Sequence, residues 1–283
     1  MKISGVVVLY NPDSGVLQNI KSYIDQIEYL FVVDNSEKVN DLLVAELKKI
    51  NKIEYKNNFR NLGVATALNI GALKSINKGF DFILTMDQDS FAHPDMIRIM
   101  LNNMQEIKNP GIISPHHKNI HYKQYTPASE IEEPDVVITS GNLLNLNAFQ
   151  DIGGFDENLF IDYVDIDICF RLKLKGYKIY KVNSAILNHN EGNLKTIKIL
   201  NETFRPYNHD PLRWYYKIRN YNYIKDKYYK FFPSFFKEEK KRIKNDFLKI
   251  ILFEEEKIKK MKYAFKGYSD YKNNRLGKFN ERG

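Results

Sequence analysis

Two aspartates one residue apart, Asp87 and Asp89 in FILTMDQDSFAHP, follow directly on an apolar run with the pattern of a buried strand. In an extended segment, side chains two apart point the same way, so both carboxylates can face one site. Carboxylates are hard oxygen ligands suited to Mg²⁺ or Mn²⁺, and Mg²⁺ typically keeps phosphate oxygens among its other ligands. The competing reading is a solvated turn, in which Asp is common. An EF-hand is disfavoured, because no glycine sits at the required loop position and no late glutamate closes the cage.

A second acidic group lies in DYVDIDICFR. Asp162 and Asp165 are three apart and can share one face of an established helix. Asp167 and Arg171 are four apart, the spacing of an ordinary helical ion pair. Cys169 has apolar neighbours and reads as a core residue; as the only cysteine it excludes a disulfide framework and a cysteine-rich zinc site.

The elements around these residues alternate. ISGVVVLYN reads as a strand, Gly15–Ile27 as a helix, YLFVVDNS as a second strand and Val39–Lys49 as a helix. IEYKN gives a third strand, GVATALNIGALKSINKG a helix, and FDFILTMDQDS the fourth strand. Parallel strands joined by right-handed helical crossovers explain this rhythm, so the fold class is α/β with helices covering both sheet faces. Asn11, Asp34 and Asp87 then fall at strand ends along one edge, where open α/β sheets bind ligands. Residues 109–134, with four prolines and His116, His117 and His121, read as an irregular loop whose histidine spacing matches no standard metal site. PDVVITSGNLLN and YKIYKVNSAILNHN read as further strands. Residues 201–236 are aromatic and basic, and residues 238–266 read as one long helix. Its apolar stripe, through Ile243, Phe247, Ile250, Ile251, Ile258, Met261 and Phe265, would pack on the main domain or a second subunit, or rest on anionic membrane.

Composition narrows the partners. The 283 residues suit one large α/β domain with additions or two modest domains. The net charge of +8 favours anionic partners without choosing nucleic acid, lipid or phosphorylated ligand. No helix-turn-helix, zinc pattern, GxxxxGK[ST] or GxGxxG turn is present, which argues against nucleic acid and against the common phosphate-binding loops. The opening MKISGVVVLYNP is too short in its apolar run for a secretion signal and reads as a first buried strand; no run of about 18 apolar residues marks a membrane span.

Over residues 3–220 the sequence resembles the inverting family 2 glycosyltransferases of GT-A fold, and particularly their bacterial rhamnosyltransferase branch. The matches, in order, are VVVLYNP, VVDNS, NNFRNLGVATALNIG, ILTMDQDS, TSGNLL, IGGFDENLFIDYVDIDICFRLKLKGY, LNHNEG and YYKIRN. The resemblance implies a GT-A domain over 1–220, with a nucleotide-binding half over about 1–110 and an acceptor-binding half over about 111–220. A basic, aromatic helical extension follows over 221–283.

The resemblance also assigns roles. Tyr10 and Asn11 fall in the first donor-side motif. Asp34 matches the aspartate that recognises a pyrimidine base, with capping of its own turn as the alternative. Asn61 and Gly63 match a turn beside the nucleotide. Asp89, with Asp87, matches the motif that holds Mg²⁺ or Mn²⁺, and Asp87 can instead contact sugar or ribose. His189 matches a histidine near the metal or diphosphate. Arg219 matches an arginine near the diphosphate or closing lid, a task suited to its planar fork, with a surface basic patch as the alternative. Asp165 falls on the general base. Val164 replaces the glutamate common before it, which leaves Asp162 as the second candidate.

The activity so implied is transfer of a sugar from a nucleotide-diphospho-sugar donor, dTDP-rhamnose first and a UDP-hexose or UDP-galactofuranose second. The acceptor would be a bacterial surface glycan or lipid-linked oligosaccharide. The implied setting is the cytoplasm, with the inner face of the membrane and a homodimer as outlets for the C-terminal stripe. A noncatalytic sugar-nucleotide-binding or glycan-binding module is the competing class.

Overall fold

The computed structural model describes residues 1–118, 127, 129–189, 197–199, 202–204 and 208–280. The chain divides into two compact units, residues 1–160 with 164–190, and residues 161–163 with 191–283.

The first unit is built on one sheet. Strands β1 (Ile3–Leu9), β2 (Tyr29–Asp34), β3 (Ile53–Asn57) and β4 (Phe82–Asp87) pair in parallel in the order β3-β2-β1-β4. Helices α1 (Val16–Lys21), α2 (Asp41–Lys48) and α3 (Val64–Asn77) lie in the connections. Buried on both faces, β1, β2 and β4 read as continuous apolar runs rather than alternating ones, with Val6, Val7, Leu9, Val32, Ile83 and Leu84 fully enclosed, whereas the edge strand β3 is only half-buried. The register aligns Leu9 with Asp34, Asp34 with Asn57, and Val8 with Asp87. Three of the four parallel strands thus finish in polar side chains on one edge.

Beyond β4 the pairing changes direction. After β5 (Ser90–Ala92) and α4 (Met96–Asn102) come β6 (Pro110–Lys118), β7 (Ile131–Glu132), β8 (Asn142–Asn145), α5 (Leu146–Asp151), α6 (Val164–Leu174) and β9 (Lys178–His189). β8 runs antiparallel to both β4 and β6, β6 runs parallel to β9, and β5 and β7 pair antiparallel with β9.

Several expectations need correction here. The helix expected over Gly15–Ile27 stops at Lys21, and a separate 3₁₀ turn covers Ile24–Gln26. Tertiary bonds end it: the Ser22 hydroxyl turns back to Asn19 O and also accepts from Ala92 N of β5 at 2.9 Å. The supposed loop over 109–134 contains the nine-residue strand β6, in which Pro110 stands first and Pro115 borders a register shift, two places a sheet tolerates proline. His116 and His117 therefore lie on a strand; His121 is outside the described residues. In PDVVITSGNLLN only Asn142–Asn145 is strand, because Thr139 and Ser140 spend their polar groups on β4 and on its following turn.

The second unit carries α7 (Pro211–Tyr228), α8 (Pro233–Phe253) and α9 (Lys257–Lys272), together with the short antiparallel pair β10 (Ile197–Ile199) and β11 (Glu202–Phe204). Asp210 caps α7 by accepting from Leu212 N at 2.8 Å, with Pro211 at the first helical position. The single helix expected over 238–266 is two helices. Glu254 is extended and Glu256 is left-handed at φ 50°, while the buried Glu254 carboxylate receives Lys260 Nζ at 2.8 Å. The apolar stripe splits with it. Ile243 and Ile250 are buried, whereas Ile251, Ile258, Met261 and Phe265 are exposed. Among the described residues no helix is long and apolar enough to cross a membrane.

Candidate active site

The edge where β1, β2 and β3 end carries a network of turns. Asp34 is 1% exposed. One of its carboxylate oxygens accepts from Ser36 N at 2.8 Å and the other from the Tyr55 hydroxyl at 2.7 Å. Burial and the adjacent carboxylate push the Tyr55 phenol up to about 12, so it remains a donor. Asn11 N donates to Ser36 Oγ at 2.7 Å, which ties the end of β1 to the same turn. Asn35 reaches onward, its side-chain amide donating to Gly63 O at 3.0 Å while its oxygen accepts from Asn58 at 2.9 Å. Asn61 accepts from Gly63 N at 2.9 Å, closing an Asx turn in front of α3.

Gly63 is required here twice over. Its φ is 87°, and a Cβ would stand 2.6 Å from Phe160 O and 2.7 Å from the Phe160 ring. Val64 N donates to Phe160 O at 2.7 Å. Phe160 itself has φ 64° and ψ −62°, a sparsely populated conformation that costs about 1–3 kcal/mol in a non-glycine residue. The Asn61–Gly63 turn and Phe160 therefore fit against each other.

The acidic turn is clamped from two sides. Asp87 is half-buried at the end of β4, and Gln88 and Asp89 form the turn into β5 with Asp89 exposed. Gln88 clips this turn to the end of β1: its amide oxygen accepts from Tyr10 N at 2.8 Å and its nitrogen donates to Tyr10 O at 3.3 Å. Asn19 donates to Gln88 O at 2.8 Å. From the other side Asp87 N donates to Ser140 Oγ at 3.1 Å, and the Ser140 hydroxyl donates to Ser90 Oγ at 2.8 Å. The nearby Tyr23 hydroxyl is held neutral, its pKa raised by burial and then by the charge of Asp87.

Asp87 and Asp89 meet the need of Mg²⁺ or Mn²⁺ for hard oxygen donors, and one or two carboxylates suffice where phosphate oxygens complete the shell. No cluster of three or more His, Cys, Asp or Glu side chains occurs among the described residues. The His189 backbone stands opposite Ser90 at the end of β9, but its side chain lies outside the described set, as does LNHNEG from Asn190 onward.

The three aspartates around the start of α6 have different surroundings. Asp167 is fully buried, with Arg171 Nε at 2.8 Å and Nη2 at 2.6 Å from one oxygen; Arg171 also donates to Ile152 O at 2.9 Å. That pair fastens the helix. Asp165 is half-buried, accepts from its neighbour Ile166 N at 2.9 Å, and lines a small cavity with Thr85, Thr139, Asn142 and Phe155. Thr85 and Asp87 are two apart in β4 and share a face, so the Asp165 cavity and the acidic turn lie along the same strand. Cys169 is enclosed and its thiol is pushed up to about 12 by burial, which makes it core rather than nucleophile.

Asp162 and Arg219 belong to the second unit. The Asp162 carboxylate sits 2.7 Å from Arg213 Nε, and its backbone oxygen accepts from Asn220 at 3.0 Å. Arg219 is wholly buried under Tyr215 and Tyr216, donating to Asn220 Oδ1 at 2.9 Å and to Gly277 O at 2.5 Å. The first unit, by contrast, gathers Tyr10, Asn11, Asp34, Asn61, Gly63, Asp87, Asp89 and Asp165. Tyr55, Gln88, Ser140 and Phe160 escaped the sequence reading. Only Gln88, between the two aspartates, and Ser140, in TSGNLL, carried a sequence signal.

Residues 4–156 match the model of a family described as Glycosyl transferase family 2. The dTDP-rhamnosyl transferase RfbF of Shigella flexneri is 31% identical over 239 residues, covering 77% of this chain and 78% of that protein. GalNAc-T7, solved with UDP, GalNAc and Mn²⁺, superposes with a TM-score of 0.57 at 14% identity, over 67% of this chain and 44% of that one. The 1–349 portion of S. aureus TarS superposes with a TM-score of 0.56 at 12% identity, over 97% of this chain and 72% of that one. At such identities the two structural likenesses speak for the fold alone.

Proposed function

The chain belongs to glycosyltransferase family 2 and has the GT-A fold; from that premise we propose that it transfers L-rhamnose from dTDP-rhamnose, with inversion, onto a bacterial surface glycan or lipid-linked oligosaccharide. The observation that carries this reading is the alignment of three groups in one unit: the Asp34–Gly63 turns, the clamped Asp87–Asp89 turn, and Asp165 beside Thr85. The donor comes from the named activity of the Shigella relative, which this chain matches over most of its length.

Asp34 would accept from the base N–H through lone pairs not used by Ser36 N and Tyr55. The turn through Asn61 and Gly63 would flank the nucleoside. Asp89 and Asp87 would hold the divalent ion, which when bound supplies positive charge to the departing diphosphate. Asp165 would take the proton from the acceptor hydroxyl as that oxygen bonds to the anomeric carbon. The bond from that carbon to the diphosphate oxygen breaks on the opposite face, and its electron pair leaves with the nucleotide. Asp165, which lines the cavity beside Thr85, would be the base, while Asp162 pairs with Arg213 and Asp167 with Arg171.

The test is a donor panel of dTDP-rhamnose, UDP-galactofuranose and UDP-hexoses against short glycan and lipid-linked acceptors, with Mg²⁺ or Mn²⁺ present and products read by mass spectrometry and NMR. Rhamnosyl transfer with the anomeric configuration inverted is the expected result. Transfer from a UDP-sugar alone would overturn the donor assignment. Donor binding without transfer across the whole panel would overturn the enzymatic reading in favour of a binding module.

A further inference from the structure

The second unit presents apolar side chains where a soluble helix usually places polar ones. On α9 the exposed residues Ile258, Met261, Phe265 and Tyr268 recur at helical spacing; Ile258 is 74% exposed and Phe265 is 75% exposed. On α8 Leu248, Ile251 and Leu252 form a second exposed stripe. Lys257 Nζ donates to Ile251 O at 2.7 Å, so the two stripes meet at the corner between the helices. This exposure is fixed by the packing of the opposite face. Lys260, Ala264, Gly267 and Asp270 are buried, a Cβ on Gly267 would collide with the Tyr215 carbonyl of α7, and the Tyr215 hydroxyl donates to Asp270 at 3.0 Å. Rotating α9 to hide Phe265 would expose Lys260 and break these contacts.

The charge around the stripe selects the partner. Lys257 and Lys262 line the same shallow groove as Ile258, Met261 and Phe265, and Lys272 continues the exposed side of the helix. The only acidic residue within α9 is Asp270, and it is buried. On α8, Lys241 and Lys244 stand seven and four residues before Leu248 and are exposed. Glu238 near the start of α8 and Glu255 and Glu256 at the corner are the exposed acidic exceptions. A second copy docked through the same face would set lysine against lysine. Apolar side chains ringed by lysines instead match an anionic lipid surface, where rings and aliphatic groups enter the acyl boundary and ammonium groups meet headgroups. We infer that the α8–α9 face of the second unit seats this protein on anionic membrane. The inference rests on this unit alone and is independent of the donor and of the reaction.

Co-sedimentation of the full chain with vesicles tests it. Vesicles of phosphatidylcholine with 30 mol% phosphatidylglycerol should carry the protein into the pellet, and pure phosphatidylcholine vesicles should leave most of it in solution. Ile258→Glu with Phe265→Glu should abolish recovery; both positions are exposed, and circular dichroism checks that the helices persist. Lys257→Gln with Lys262→Gln should weaken binding by about fivefold per lysine, and added salt should mimic that loss. Equal recovery in the supernatant with both vesicle types would overturn the inference. So would light scattering that shows a vesicle-independent dimer which Phe265→Glu dissociates, since the face would then belong to a second copy.

Discussion

The two units differ in where their polar networks and their exposed apolar side chains concentrate. In the first, the sheet's apolar residues are interior and polar ones collect at strand ends, where each makes a turn rigid: Asp34 on Ser36 and Tyr55, Asn35 on Gly63, Gln88 on Tyr10. Leu42 and Phe59 stand exposed there as scattered single residues, and Asp167 is buried with Arg171. In the second, charges are interior. Glu239 takes the Tyr163 hydroxyl at 2.6 Å and Arg242 at 2.8 Å, Lys260 is enclosed with Glu254, and Arg219 is enclosed with Asn220, while Leu252, Ile258 and Phe265 face outward. One arrangement holds polar groups still at the edge proposed for chemistry. The other uses buried pairs to aim helices, and leaves apolar side chains of α8 and α9 exposed.

If that contrast is right, the largest loss of activity comes from a change in the first unit that leaves stability alone. Asp165→Asn removes a proton acceptor while keeping the side chain's size and its bond to Ile166 N within reach. The expected fall in kcat is about 10²–10⁴-fold, with donor affinity by calorimetry close to the parent. A fall under tenfold would move the base to another residue.

The converse is a change in the second unit that costs stability. Glu254→Ala leaves Lys260, 1% exposed, without its carboxylate, though Asn208 Oδ1 still accepts from it at 2.7 Å. Breaking a buried pair from one side costs about 3–5 kcal/mol. Denaturant unfolding should show that loss, and Glu254→Leu combined with Lys260→Met should recover much of it. No recovery would mean that the pair shapes the α8–α9 corner rather than merely compensating charge.

Gly63→Ala tests the joint inside the first unit between the proposed donor turn and Phe160. Added to a φ of 87° is the overlap with Phe160. About 1–3 kcal/mol of destabilisation is expected, together with a raised KM for the donor. Loss of stability with an unchanged KM would show that the contact serves folding only.

How far the sequence reveals each unit follows from the same contrast. The parallel block was legible because β1, β2 and β4 are buried on both faces and read as apolar runs, and because the half-buried edge strand β3 alternates, so that IEYKN matches it residue for residue. Asp34, Asp87 and Asp89 could be placed because strand ends follow from strand limits. Tyr55 and Phe160 could not, since their roles depend on bonds across 21 residues and on a packing contact with Gly63. In the second unit the periodicity of 238–266 was correct but its continuity was not. A buried Lys260–Glu254 pair breaks the helix, and nothing in a hydrophobic pattern announces a buried charge.

The smallest expected effect is a pH dependence, with one histidine in each unit. His116 in the first and His209 in the second both have pKa values lowered from the ordinary 6.5, each chiefly by burial and next by a nearby cation, Lys181 and Arg213 respectively. A lowered folded value means that the unfolded chain binds the proton more readily. The contribution to stability is therefore intact above about pH 6.5 and is lost as pH falls from there through the lowered folded value. His209→Gln should flatten the lower part of the stability curve, and His116→Gln should do the same independently, because the two sit in separate units. If only one flattens the curve, the other histidine takes up its proton without penalty, and burial in that unit is less protective than its contacts imply.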